Sequence, residues 1–467
     1  MKLYNSLTKT IDVVKPLEGN TIRMYTCGPT VYDSAHIGNL SSYIFADTLK
    51  RTLKSAGFKV EHVMNFTDVD DKTIKRSQEM HPDQSPLMAL RKLTRYYEQK
   101  FLQDMKDIGN SIEDIEFVRA TDMIPAIQVL ISSLYEKGFA YIAEDGIYFS
   151  IDAYKKSGKT YGQLLNLDDM NIQKERISND EYDKEYIHDF VLWKKKKSSE
   201  PSWEFHIDNQ NIPGRPGWHI ECSAMSTSHL GQPFDIHTGG IDLTFPHHEN
   251  EIAQSTAGRE DKLYAKFFAH NEHLLVGGKK MSKSLGNFYT LDDIKQKGID
   301  PKAFRLMVLQ SHYTKQSNFT WDNLQSASSR LKDLKSIADL RWQPDATQQS
   351  NVDISIKDIS FALYNNIDTP KALSNLSLQL DRIVNDSISD SDVKVISSFL
   401  QSIDELFGLQ LLNSTDIKPE QKELIQKREQ ARRSKDWILA DKIRKQLAQE
   451  GIELKDYPDR SIWSRSR

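Results

Sequence analysis

The clearest pattern in the chain lies near its start. From Thr21 to Thr26 polar and apolar positions alternate, with Ile22 and Met24 on one face, and this predicts a β-strand. Cys27-Gly28-Pro29 ends it. Leu40, Ile44, Phe45, Leu49 and Leu53 then recur mostly every four residues, a helical stripe closed near Gly57. Phe58 to Met64 resumes the strand pattern. Strand, loop, helix, strand is a parallel β-α-β unit, and it predicts a doubly wound α/β core. The glycine fingerprint of dinucleotide folds is missing, and His36-Ile37-Gly38-Asn39 occupies the strand-to-helix turn instead.

Further along, helical and short strand signals mix between about 110 and 200, around the basic run Lys194–Lys197. This reads as an insertion between two halves of the core. Beyond about 315 the pattern turns helical: Leu324, Leu331, Leu334 and Ile337 recur at spacings of seven and three, and the polar stretch Gln343 to Asn351 reads as a loop. The last segment opens at Pro419, a residue suited to a first helical turn, and carries Leu439, Ile443 and Leu447 up to Gly451. The expected domains are a core of 1–110 and 205–312, an inserted region 111–204, a helical bundle 313–405 and a small C-terminal domain 406–467.

Composition narrows the class. A chain of 467 residues exceeds one compact core. Nothing approaches the roughly 20 apolar residues of a membrane span, and the N-terminus lacks a signal-peptide core, so a cytoplasmic protein is expected. Net charge is −4, which excludes a globally basic nucleic-acid binder. Residues 422–467 depart from that, with 13 Lys and Arg against 8 Asp and Glu. Only two cysteines occur, Cys27 and Cys222, and a cytosolic chain seldom pairs such residues in a disulfide.

Two elements have the chemistry to handle phosphate. The turn His36-Ile37-Gly38-Asn39 sits where an α/β sheet offers its crevice, at the positive end of a helix. His36 and Asn39 can donate to phosphate oxygens, and Gly38 lets a nucleotide approach the backbone. The second element, Gly277 to Asn287, is a glycine-flanked loop in which Lys280 and Lys283, with Ser282 between, can clamp a triphosphate. A metal set is also conceivable. His247 and Glu251 are four apart in Pro246-His247-His248-Glu249-Asn250-Glu251, expected to open a helix, so they share a face while His248 and Glu249 point elsewhere. With Cys27 and Cys222 they make two thiolates, an imidazole and a carboxylate, although donors so scattered give no informative spacing.

Lys280-Met281-Ser282-Lys283-Ser284 is similar to the signature loop of class I aminoacyl-tRNA synthetases, and His36–Asn39 resembles that class's other signature. The blocks Met24–Asp33, Asn65–Lys72, Gly214–Ser226 and Asp235–Ser255 resemble the cysteinyl-tRNA synthetases, in that family's order, and the similarity runs along nearly the whole chain. The resemblance implies a Rossmann-like catalytic core, an inserted connective domain, a helical bundle and an anticodon-binding C-terminal domain. It implies one Zn2+ on Cys27, Cys222, His247 and Glu251 that binds the substrate thiolate. Four protein ligands would close a tetrahedral site, so the shell must expand to five or one ligand must loosen, and Glu251 is the one expected to do so. It places Tyr25, Thr67, Trp218, His237 and Asp242 around the cysteine, and Arg432, Arg433, Trp437 and Trp463 on the tRNA. Implied partners are ATP with Mg2+, cysteine and tRNA(Cys), acting on a monomer.

Three departures from the family pattern stand out: Leu40-Ser41 after Asn39, Tyr313-Thr314 without the usual Arg, and a terminus lacking the usual Gly-Thr before Trp463. Two other functions share parts of this pattern. A ligase joining cysteine to an amino-sugar inositol would keep the zinc and ATP motifs without the C-terminal RNA segment, and a non-catalytic RNA-binding relative would keep the fold alone.

Overall fold

A computed structural model describes residues 1–165, 189–259, 263–282, 285–344, 353–385, 388–389, 392–456 and 461–465. Lys283, Ser284 and most of the expected loop from Gln343 to Asn351 lie outside the described residues. By internal contacts the chain divides into two units, one holding residues 1–297, 311–319 and 364–367, the other 298–310, 320–363 and 368–467.

The first unit begins with a hairpin of β1 (Lys2–Asn5) and β2 (Thr10–Val13). The expected β-α-β unit follows as β3 (Thr21–Thr26), α1 (Ile37–Ser55) and β4 (Lys59–Phe66). Next come α2 (Asp71–Met80), α3 (Pro86–Asp107) and β5 (Ile115–Arg119). The insertion contributes β6 (Ala140–Ile142), β7 (Gly146–Phe149) and β8 (Phe190–Lys195), then the short pair β9 (His206–Ile207) and β10 (Gln210–Asn211), then β11 (Gly214–Pro216). β8 pairs antiparallel with β7 and β11, so the inserted sheet extends past the expected boundary at 204. Trp193, Phe149 and Phe190 fill its core.

The chain then returns through the helix Trp218–Leu230, β12 (Phe234–Gly240), the helix Glu249–Thr256 and β13 (Ala265–Asn271). The five-stranded sheet has the order β13-β12-β3-β4-β5, and every neighbouring pair is parallel. All seven residues of β12 are buried, as a sheet covered on both faces requires. From β3 the chain winds to β4 on one side, and from β12 to β13 on the other. The crevice between the carboxyl ends of β3 and β12 is therefore the topological switch point, where α/β sheets bind ligands.

The second unit is mainly helical. In the helix Trp321–Ala338 the residues Leu324, Leu331 and Leu334 are buried, as their spacing predicts. Pro419 opens the helix Pro419–Arg433 at its first turn. In the next helix, Trp437–Gln449, Ile443 and Leu447 are buried but Leu439 is 43% exposed. A terminal hairpin of β14 (Ile452–Asp456) and β15 (Ser461–Arg465) follows. Ile425, Ile443, Leu447, Ile452, Leu454 and Trp463 form one apolar cluster.

Candidate active site

Cys27 directly follows β3, and its amide donates to the Thr238 carbonyl of β12 at 3.1 Å. The thiol is thereby fixed at the switch point. The next residue has to be glycine: a Cβ at Gly28 would lie 1.7 Å from the Asn65 carbonyl oxygen, while the Gly28 amide donates to Asn65 Oδ1. Cys222 enters from the helix Trp218–Leu230, and His247 and Glu251 enter from the segment after β12.

Cys27, Cys222, His247 and Glu251 are all buried, and one donor atom from each lies within 4.8 Å of the others. Cys27 Sγ is 4.0 Å from Cys222 Sγ and 3.8 Å from Glu251 Oε1, which is 3.0 Å from His247 Nε2. A second buried set of the same reach joins Cys27 and Glu251 to His237 and His248. His248 corrects the sequence expectation. The segment 244–248 is an irregular turn with Phe245 in extended conformation, and the regular helix starts only at Glu249. His248 consequently turns inward, with Nε2 3.4 Å from Cys27 Sγ. Glu249 does point elsewhere, accepting from the amides of Gly162 and Leu164.

The two sets differ in what is left to offer a cation. Glu251 Oε2 already accepts from Tyr264 Oη at 2.8 Å and contacts His237 Nε2 at 2.8 Å. Its Oε1 faces Cys27 and His247. His247 has its other ring nitrogen, Nδ1, 2.9 Å from His219 Nδ1, so Nε2 is directed at the cluster. Two thiols, one imidazole and one carboxylate oxygen in tetrahedral number suit a borderline-soft divalent ion. The first set is the better metal cradle.

Burial dominates the electrostatics of the cluster. Burial pushes the Cys27 thiol up, reinforced by Cys222 and Glu251. Burial likewise lowers His247 and His219 to about 3 each. Burial would raise Glu251, but His237 and His247 outweigh it and hold the carboxyl below its ordinary value. The Tyr25 hydroxyl is buried with no hydrogen-bond partner among the described residues, beside Cys222, Cys27 and Glu251. A neutral thiol gives that hydroxyl a poor acceptor, and a metal-held thiolate gives it a good one.

A cavity of about 300 Å³ opens from this cluster. Trp218 and Asp242 line it, and the Trp218 ring stacks on His247 with centroids 4.2 Å apart. Tyr25, Thr67 and His237 are buried outside its lining. Thr67 accepts from Asn65 Nδ2. Sequence reasoning missed His248, His219, His270 and Tyr264. His270 continues a chain from Ser6 Oγ (2.7 Å) to His248 Nδ1 (2.8 Å).

The far side of the cavity is built by the first signature turn. His36 caps α1, its Nδ1 accepting from the Asn39 amide at 3.1 Å. That bond places the proton of a neutral ring on Nε2, a donor of the kind phosphate oxygens accept from. A Cβ at Gly38 would sit 2.9 Å from His36 Nδ1, so glycine here also makes room for the capping ring. The second signature is tied to the first: the Ile37 amide donates to the Tyr289 carbonyl, and Phe288 packs edge-on to His36 at 5.1 Å. Within the loop, Asn287 accepts from the Ser282 amide and donates to the Lys280 carbonyl. Lys280 itself is exposed.

In the second unit, Arg433 is exposed and Trp437 is 58% exposed beside Ile438 at 86%. Arg432 instead pairs with Asp456 at 3.0 Å. Trp463, also expected on the tRNA, is 3% exposed, opposite Leu454 in the terminal hairpin.

Residues 13–329 match the family model for the class I (C) tRNA synthetase catalytic domain. The chain is 40% identical to the cysteine–tRNA ligase of Brachyspira hyodysenteriae, over 99% of this chain and 98% of that protein. It is 37% identical to the enzyme of Leptospira interrogans, over 99% of both, and 40% identical to that of Chlamydia abortus, over 97% and 95%. Among solved structures, Mycobacterium tuberculosis methionyl-tRNA synthetase has a TM-score of 0.53 at 12% identity, covering 84% of this chain and 88% of its own. Agrobacterium radiobacter LeuRS reaches 0.56 at 10%, covering 85% of each. The fold is thus shared with distant synthetases, and sequence along almost the full length specifies the branch: the chain belongs to the cysteinyl-tRNA synthetase family of class I aminoacyl-tRNA synthetases.

Proposed function

We propose that the protein activates cysteine with ATP and transfers it to the 3′ adenosine of tRNA(Cys), with a zinc ion held by Cys27, Cys222, His247 and Glu251. The observation that carries this reading is the convergence of those four buried donors, from three distant segments, at the switch point. When bound, zinc supplies a soft Lewis-acid position that favours a thiolate over an alcohol. Serine differs from cysteine by one atom, and an apolar slot alone separates such near-isosteres by only about 10²-fold.

The chain's own residues do the rest. Asp242, in the cavity wall, accepts from the substrate ammonium, and Trp218 closes the pocket over His247. The cysteine carboxylate is its own nucleophile toward the α-phosphate, so no protein nucleophile is required. Negative charge grows on the phosphate oxygens and the departing pyrophosphate. His36, Asn39, Lys280, Ser282 and Lys283 meet that charge together with ATP's Mg2+, each donor contributing about 3 kcal/mol by analogy with oxyanion-hole donors. Glu251 keeps two further donors on Oε2, so its charge is satisfied even when Oε1 moves. Arg433 and Trp437 offer a charge and a stacking face to the anticodon end. No helix among the described residues is long and apolar enough to cross a membrane, in keeping with a cytoplasmic place of action.

The test is cysteine-dependent ATP–pyrophosphate exchange with serine as competitor, followed by tRNA charging. Exchange with charging supports the reading. Exchange without charging favours the amino-sugar ligase, and no exchange favours a non-catalytic relative.

A further inference from the structure

The cavity has a third wall that neither the thiol end nor the phosphate end uses. Tyr32, Asp33, Lys72, Tyr97 and Phe101 form it, from the loop after β3 and from α2 and α3. The transfer reaction needs an entry for its second substrate, an RNA 3′ end, separate from the cysteine and nucleotide positions. This wall is the remaining side.

Its chemistry fits that use. Lys72, Lys75 and Arg76 are exposed and stand at helical spacings of three and four on α2, so they make one basic stripe starting at the cavity lining. The stripe's start is fixed, because Asp70 caps α2 by accepting from the Thr73 amide at 2.7 Å. The neighbouring acid does not cancel it: Asp71 is paired with Lys194 at 2.9 Å and with Arg215. Arg76 meets Glu79 at 3.6 Å in a half-exposed pair, which leaves it open to solvent, and it faces the Tyr97 hydroxyl of the cavity wall. Residues 72–100 hold seven Lys and Arg against three Asp and Glu in a chain whose net charge is −4. Tyr96, 61% exposed and edge-on to Tyr97 at 5.1 Å, adds a face on which an unpaired base can stack.

We infer that Lys72, Lys75 and Arg76 hold the phosphodiester backbone of the tRNA 3′ strand and act in the transfer step rather than in cysteine activation. The inference rests on the proposed aminoacylation reaction and names where its RNA substrate enters. Lys72 sits where the strand turns into the cavity, and Arg76 lies one helical turn further out.

The experiment compares the full-length protein with Lys72→Gln, Arg76→Gln and the double variant in two assays. One is cysteine-dependent pyrophosphate exchange. The other is single-turnover transfer from preformed cysteinyl-adenylate to a tRNA(Cys) transcript. The double variant is expected to lose transfer at least about tenfold more than exchange, with a salt dependence of tRNA binding shallower by about 0.7 per lost contact. Parallel loss of exchange and transfer would assign the stripe to the adenylate site and overturn the inference, as would transfer at the unmodified rate. Absence of exchange in the unmodified protein would refute the underlying reaction instead.

Discussion

The Tyr264 hydroxyl donates to Glu251 Oε2 at 2.8 Å, leaving Oε1 as the carboxylate oxygen facing Cys27 and His247. Tyr264 is also 2.6 Å from Ser226 Oγ, so its position is fixed from both sides. Such outer partners orient ligating oxygens, and their loss typically weakens metal affinity 10- to 100-fold. Tyr264→Phe is expected to fall in that range while keeping its fold. Competition with a chelator checks it, and an unchanged zinc affinity would detach Tyr264 from the site.

Cys222→Ser exchanges one soft donor of the proposed zinc set for a hard one, with only a small loss of volume at a buried position. Cysteine activation should drop by about 10²-fold or more, while the dissociation constant for ATP stays within about twofold. Steady-state exchange and nucleotide titration measure the two separately. Equal loss of both would indicate a folding defect.

Asn287 is the clamp inside the second signature loop, joining the Ser282 amide to the Lys280 carbonyl. Asn287→Ala should slow adenylate formation about tenfold with little change in KM for cysteine, because a donor that must be repositioned stabilises less charge. Lys280→Ala removes the donor itself and should cost about 10²-fold. Rapid-quench measurement of adenylate formation tests both, and a slower Asn287 variant than Lys280 variant would contradict the ordering.

His62 gives a pH signature away from the metal ligands. It is buried, touches Thr26 Oγ1 at 2.8 Å, and has no partner on Nδ1 among the described residues. Burial, with Lys50 adding to it, lowers its pKa from 6.5 to about 3. Below pH 6.5 the unfolded chain takes up a proton that the folded chain refuses. The contribution is therefore complete above pH 6.5 and is lost as pH falls toward 3, by about 1.4 kcal/mol per pH unit. Urea midpoints at pH 7.5 and pH 5 should converge between the unmodified protein and His62→Gln, since the variant lacks this proton. Parallel losses would show that His62 is not held neutral.

The core was legible because its signals are local. Alternation over Thr21–Thr26, a helical stripe from Leu40 and a stop at Gly57 each depend on neighbours in sequence, and the strands and helix formed there. The metal cradle was legible only through resemblance, because Cys27 and Cys222 meet across 195 positions. His248 was misread for a physical reason: a regular helix through Pro246 would turn it away, but Phe245 is extended and the helix starts at Glu249. His270 and Tyr264 lie on or just before β13, where nothing local marks a side chain that reaches another segment's ligand. Trp463 was legible in principle. Ile452 and Leu454 alternate on one strand, and the pairing of Trp463 opposite Leu454 places the ring in the same cluster.

X-ray absorption at the zinc edge of the purified protein tests the metal assignment most directly. One zinc per chain is expected, with two sulfur neighbours at about 2.3 Å and two nitrogen or oxygen neighbours at about 2.0–2.1 Å, and a third sulfur on adding cysteine but not serine. A first shell without sulfur, or one that cysteine leaves unchanged, would contradict it.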